Sequence, residues 1–209
     1  MDSVNDRELI YQAKFGRVPT REWKKQLSGE AWYQGDTYNV SVGQGDLLVS
    51  PFQMVLATAA VANGGKLMQP YVVSHVLDAV TGKSEATKPV VRREGFISNT
   101  NLDIVRRGMW MAVNDPFGTA CCKIKEEVPV SVAAKTGTAE TVIHDAGKDA
   151  SDQSKPNAWF EAFAPFENPQ IAIVVLVENS GEGSQYAVPA VRETLRWYFT
   201  EGGGKGVAR

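Results

Sequence analysis

Phe52, Val55, Leu56, Ala59 and Ala60 recur at the spacing of one helix face, behind a Ser50-Pro51 start and ahead of an Asn63-Gly64-Gly65 stop. A serine N-cap accepts from the first unpaired N–H groups, and proline at the next position sacrifices no intrahelical bond. A helix is therefore predicted over 51–63. Leu102, Val105, Met109 and Ala112 or Val113 repeat the pattern behind a cap at Asn99 or Thr100 and stop at Asp115-Pro116, which predicts a second helix over 101–113. Val188, Val191, Leu195 and Tyr198 or Phe199, with Pro189 near the start, mark an amphipathic closing helix over 186–199. A short helix is also expected over 6–14, whereas 16–45, rich in Gly, Trp, Tyr and turn residues, is predicted to be mostly loop.

Three strands are predicted between the second and third main helices, over 131–140, 157–165 and 170–178. The last two are joined by Phe166-Glu167-Asn168-Pro169, a short polar turn suited to an antiparallel pair. The polar stretch 145–156 reads as a mobile surface loop, and 202–209 as a flexible tail. A small β excursion is expected where β-branched 71–77 runs into polar 78–88 with its Thr81-Gly82 turn. Residues 171–177 are apolar at every position, the pattern of a strand covered on both faces and flanked on both edges. In a three-strand meander that strand would be an edge, and a flat apolar edge invites pairing. Either another element covers it, or the chain associates with itself or with an N-terminal segment.

Composition narrows the function. The 209 residues are 43% hydrophobic and 22% charged, enough for one domain with a sizeable core rather than a disordered chain. A formal charge of −2 leaves no positive excess for a phosphate backbone, so nucleic-acid binding is not expected. The longest purely apolar run, 171–177, is far short of the roughly 20 residues of a spanning helix, and neither a membrane span nor a signal peptide is expected in the chain. Cys121 and Cys122 are adjacent, which fits neither a disulfide framework nor a zinc site; they read as free thiols. His75 and His144 are the only histidines, and neither has a second ligand at metal spacing. No metal, no other cofactor and no Ser/His/Asp triad are expected. Trp23, Trp32 and Tyr33 read as aromatic pins for loops, and Trp159, Phe160, Phe163 and Phe166 as core and turn packing. Asp36 and Gln44-Gly45 fit turn formation and groove shaping equally well.

Lys135-Thr136-Gly137-Thr138 carries the chemistry. Alone the triplet Lys-Thr-Gly is a weak signal, but here it follows a helix and a Gly118-Thr119-Ala120 turn. It precedes Ala158-Trp159-Phe160-Glu161-Ala162-Phe163-Ala164-Pro165, an apolar strand and a final helix. That order resembles the transpeptidase domain of class B penicillin-binding proteins of the elongation type. Pro19-Thr20-Arg21-Glu22-Trp23-Lys24, Trp32-Tyr33-Gln34-Gly35-Asp36-Thr37 and Gly43-Gln44-Gly45 add to the likeness, which runs from about Gly16 to Phe199 and covers the C-terminal half of that domain.

The resemblance implies an α/β (α+β) fold of the β-lactamase and penicillin-binding-protein type, an antiparallel sheet backed by helices and present as a partial domain over 1–201. It implies D,D-transpeptidation of peptidoglycan stem peptides ending in D-Ala-D-Ala, through a serine acyl-enzyme that β-lactams also form, with no cofactor. It assigns Lys135 to electrostatic and proton-relay work, the Thr136 and Thr138 hydroxyls to the substrate carboxylate, Gly137 to close approach of the substrate backbone, and the Thr138 N–H to the oxyanion hole. It places the domain outside the cytoplasmic membrane, anchored through a segment not in this sequence. The family's Ser-x-x-Lys is not matched: no serine here is followed three residues later by lysine. Ser3-Val4-Asn5 has the letters of Ser-x-Asn but lies too near the Pro-Thr-x-Glu-Trp segment, and reads as a chance match. The chain alone is thus expected to be inactive, with the missing N-terminal half of the domain as its partner. The alternative from another class is a non-catalytic transpeptidase-like binding module.

Overall fold

A computed structural model describes residues 16–121, 123–140 and 155–202. The helix expected over 6–14, Ser3-Val4-Asn5, Cys122, His144, the loop up to residue 154 and the tail from 203 lie outside the described residues.

Three strands form the central sheet: β5 (Ala133–Ala139), β6 (Asn157–Ala164) and β7 (Ile171–Val177), antiparallel in the order β5-β6-β7. The register runs Lys135↔Glu161 and Gly137↔Trp159 on one side of β6, and Phe160↔Val175 and Ala162↔Ile173 on the other. Since side chains alternate along a strand, β6 sends Ala158, Phe160, Ala162 and Ala164 to one face and Trp159, Glu161 and Phe163 to the other. The first face packs on Val188, Val191 and Leu195 of α6 (Val188–Thr200), with Ile124 and Val132 completing that core. The second packs on α3 (Pro51–Ala62) and α4 (Asn99–Asn114), where Phe163 and Ala133 meet Ala62 and Met109. Phe160 and Phe163 are fully buried, one on each face.

Both main helices before the sheet follow their expected bounds closely. Ser50 Oγ accepts from Gln53 N at 3.2 Å, and Ser98 Oγ from Asn101 N at 3.3 Å, so each helix starts on a side-chain cap; the second cap is Ser98 and not Asn99 or Thr100, both of which lie inside the helix. The closing helix begins earlier than its apolar stripe, with one turn, α5 (Gly183–Tyr186), ahead of α6. The β excursion is present as β2 (His75–Leu77) paired with β3 (Ser84–Ala86), exposed throughout, while β1 (Leu67–Met68) pairs with β4 (Val91–Arg93).

The loop expectation for 16–45 is corrected. Two helices occupy it, α1 (Arg21–Ser28) and α2 (Gln34–Ser41), and neither contains a buried residue. They are held by local polar contacts instead of an apolar stripe. Thr20 caps α1, Gly29 ends it at φ 74°, and Lys24 pairs with Asp36 at 2.7 Å to join the two helices. Of the aromatics expected to pin loops, Trp23 lies within α1 with Arg17 4.2 Å over its ring, Trp32 Nε1 donates to nearby Thr37 Oγ1 at 2.8 Å, and Tyr33 is exposed.

β7 is half-buried at every position, with α3 on one face and α6 on the other, yet among the described residues it is an outer strand. Its faces are covered; no described strand pairs with its far edge.

Arg106 of α4 ties these layers together. Its guanidinium donates to the carbonyls of Val61 and Ala62 at the end of α3 and to Phe166 O in the β6–β7 turn, and lies 5.0 Å over the Phe163 ring. Replacing Arg106 by Ala is expected to cost about 3 kcal/mol, because three carbonyls in the interior lose a charged donor at once. Urea denaturation of R106A against the parent chain checks this.

Candidate functional site

Lys135, Thr136, Gly137 and Thr138 all lie on β5, an outer strand. In an antiparallel ladder the N–H and C=O of one residue point to the same side, and successive residues alternate. Thr138 O accepts from Gln44 Nε2 at 3.0 Å and Thr136 O accepts from Lys135 Nζ, so the main-chain groups of Thr136 and Thr138 face the open edge, while Lys135 and Gly137 bond to β6. The open edge of Lys-Thr-Gly-Thr therefore carries two carbonyls that the chain's own donors occupy. Gln44, equally readable as a turn residue in the sequence, reaches the strand from a loop ninety-four positions away.

The hydroxyls are engaged as well. Thr136 Oγ1 donates to Thr119 Oγ1 at 3.0 Å, which brings the Gly118-Thr119-Ala120 turn against the strand, and Thr138 Oγ1 accepts from Gly183 N at 3.4 Å. Gly183 sits here because no other residue fits. A Cβ on it would lie 2.3 Å from Trp159 O and 2.4 Å from Gly137 O, so glycine lets α5 press onto the β5–β6 backbone. At Gly137 a Cβ would meet Trp159 Cβ at 3.0 Å.

Lys135 is exposed and stands on the α3 side of the sheet, directly across the ladder from Glu161. Glu161 Oε2 accepts from the Thr58 hydroxyl, 2.7 Å away on α3. Burial pushes the Glu161 carboxyl above its usual range, opposed by the Thr58 hydrogen bond and the Lys135 charge. Sequence reading left Glu161 and Thr58 out of the site, since a lone acid in an apolar run and a threonine in an apolar helix carry no spacing signal of their own. Among the described residues no group of His, Cys, Asp and Glu could hold a metal ion.

Comparison with known proteins gives this geometry a family. The sequence profile of the penicillin binding protein transpeptidase domain matches residues 7–196. The chain belongs to the penicillin-binding protein transpeptidase family. It is 31% identical over 189 residues to the peptidoglycan D,D-transpeptidase MrdA of Salmonella typhimurium, covering 88% of this chain and 30% of that protein. With MrdA of Escherichia coli K12 it shares 33% over 194 residues, covering 90% and 29%. Among solved structures it is similar to penicillin-binding protein PBP2 of Helicobacter pylori, at TM-score 0.66 and 29% identity over 88% of this chain and 30% of that one. PBP2 of Pseudomonas aeruginosa in complex with WCK 5153 gives TM-score 0.64 and 32% identity over 89% and 37%. The chain thus spans about 30% of the length of these MrdA relatives. Its fold is the α/β penicillin-binding-protein transpeptidase type, an antiparallel sheet backed by helices.

Within this transpeptidase domain, Glu161 gives a pH dependence of definite sign. A carboxyl whose folded pKa is raised stabilises the fold fully below the ordinary glutamate pKa, and that contribution is lost as pH rises through the folded pKa. Glu161→Gln stays neutral throughout. The stability of the parent chain minus that of E161Q is therefore expected to fall as pH rises from the ordinary glutamate value through the raised one, and then to level off. Urea midpoints from about pH 4 to 8 check it.

Proposed function

We propose that the chain is the substrate-edge portion of a serine D,D-transpeptidase of cell-wall peptidoglycan, a C-terminal part of one domain over 1–201, whose nucleophile comes from a Ser-x-x-Lys segment outside these residues. The observation that carries this reading is the outward-facing edge of Thr136 and Thr138 with the Lys135 ammonium beside it. A stem peptide ending in D-Ala-D-Ala is an extended chain with a carboxylate, and an extended chain adds to a free strand edge through main-chain hydrogen bonds. Its N–H groups would take the Thr136 and Thr138 carbonyls from Lys135 Nζ and Gln44 Nε2, and that exchange releases the ammonium toward the reacting groups.

In this reading Lys135 holds positive charge where proton transfer from serine develops, and Thr136 and Thr138 offer hydroxyls to the terminal carboxylate or to the acid of a β-lactam. Gly137 leaves room for the substrate backbone, and the Thr138 N–H is the second oxyanion donor. The first donor, the N–H of the nucleophile, would come with the missing segment. Losing one such donor costs about 100-fold to 1,000-fold in rate, and losing the serine removes the covalent route. The far edge of β7 is the surface on which that N-terminal part, or a second copy of the chain, pairs. The domain would work outside the cytoplasmic membrane, held there by an anchor elsewhere in the protein; no helix among the described residues is long and apolar enough to cross a membrane.

Intact mass after incubation with a penicillin tests the reading. The chain alone is expected to gain no adduct. Joined to an upstream segment that carries Ser-x-x-Lys and Ser-x-Asn, it is expected to gain one acyl group on that serine, and Lys135→Ala in the joined protein to slow this by about 100-fold. An adduct on the chain alone would overturn the assignment of the nucleophile. No adduct on the joined, folded protein would favour the non-catalytic binding module.

A further inference from the structure

Two ionisable side chains stand on the face of the central sheet that packs on α3: Lys135 on β5 and Glu161 opposite it on β6. The transpeptidase reading uses the first and has no task for the second. Among the described residues, the groups of α3, β7 and α4 around Glu161 are neutral, exposed or engaged elsewhere. α3 contains no ionisable residue from Pro51 to Ala62, and β7 none from Ile171 to Val177. On α4, Asp103 and Arg107 are exposed, and Arg106 is held by the carbonyls of Val61, Ala62 and Phe166. Lys135 is the charged side chain whose field acts on Glu161.

The Thr58 hydroxyl is the polar group of α3 that meets Glu161. Its oxygen lies 2.7 Å from Glu161 Oε2 and 2.9 Å from Met54 O, and Thr58 is 2% exposed. A hydroxyl has one proton to give. If Glu161 is protonated, it donates to Thr58 Oγ1, Thr58 donates to Met54 O, and both contacts are complete. If Glu161 is ionised, the hydroxyl donates to the carboxylate and favours that form, while Met54 O keeps the intrahelical N–H of Thr58. Lys135 Nζ donates to Thr136 O on the outer edge, and a charged acid directly across an antiparallel pair would attract that lysine instead. Burial favours the neutral carboxyl and outweighs the Thr58 bond and the Lys135 charge.

We propose that Glu161 is a positioning residue for Lys135: while it holds its proton the ammonium stays at the outer edge of β5, and when it releases that proton to solvent the ammonium is drawn across the ladder toward β6. The edge carbonyl of Thr136 is then left without its internal donor, and the positive charge withdraws from the side on which substrate would lie. The link to catalysis rests on the role given to Lys135 above; the coupling between the two side chains does not.

Carbon-13 NMR of the whole chain, labelled at glutamate carboxyl and lysine Cε and titrated from about pH 4 to 9, reads the coupling directly, with E161Q and K135M assigning the two signals. The Glu161 carboxyl is expected to titrate above the other glutamates, and Lys135 Cε to show an inflection at the same midpoint. That inflection is expected to vanish in E161Q, and the Glu161 midpoint to move upward in K135M, where the neighbouring positive charge is gone. A Lys135 signal that passes the Glu161 midpoint without inflection, or a midpoint unmoved in K135M, overturns the proposal. Lys135 is exposed, so K135M keeps the test decisive even if E161Q fails to fold. No substrate or nucleophile enters the measurement, so its failure leaves the penicillin adduct test standing, and the failure of that test leaves this one standing.

Discussion

Strand β6 has to serve two cores at once, and most of the structure follows from how it does so. It is hydrogen-bonded along both edges and covered on both faces, by α6 on one and by α3 with α4 on the other. On the α6 side three of its four inward residues are alanine, with Phe160 between them filling the volume; on the opposite side Phe163 is the buried ring. Fully burying each ring contributes about 2–3 kcal/mol, and with the rings on opposite faces neither layer can leave without exposing one. A strand so enclosed puts its two neighbours on the outside, and one of those neighbours carries Lys-Thr-Gly-Thr.

The two outer strands solve their edges differently. β7 is apolar along its length and depends on helices over its faces, so its free edge is the remaining liability among the described strands. β5 is polar where it is open. Gln44 and Lys135 supply side-chain donors to its outward carbonyls, and Thr119 engages a hydroxyl. Such donors satisfy the backbone without fixing it in a ladder. Gly183 completes the arrangement from the covered side, since its missing Cβ lets α5 seat against the Gly137 and Trp159 carbonyls.

Much of this was legible in the chain. The helix behind Ser50 announces itself by cap and stripe, the helix over 99–114 by its stripe, and the strands at 133–139, 157–164 and 171–177 by apolar content between turn residues. What periodicity missed, it missed for a stated physical reason. α1 and α2 bury no residue, so no apolar stripe exists to be read; the signals present were Thr20 before Trp23 and Gly29 after Ser28, which are capping signals. The same limit hid Arg106 and Thr58 and left Gln44 open between turn and groove. Each acts through a partner distant in sequence: Gln44 on the carbonyl of Thr138, Arg106 on carbonyls of α3 and the β6–β7 turn, Thr58 on Glu161. Only the fold brings those partners near.

Register is the property that turns these separate residues into one site. Shift β5 by one residue against β6 and Lys135 faces Phe160 or Ala162, with every side chain on the strand moved to the other layer. Ala133 would leave the α4 side, and Ala134 would lose its place against α6. The pairing that keeps these alanines at 0% exposure is therefore the one that sets Lys135 beside Glu161. An acid in an apolar strand looks like an error in the pattern when read along the chain. Read across the ladder, it is the one position on β6 where a carboxyl can meet both a lysine and a buried hydroxyl, and packing of the neutral residues holds it there.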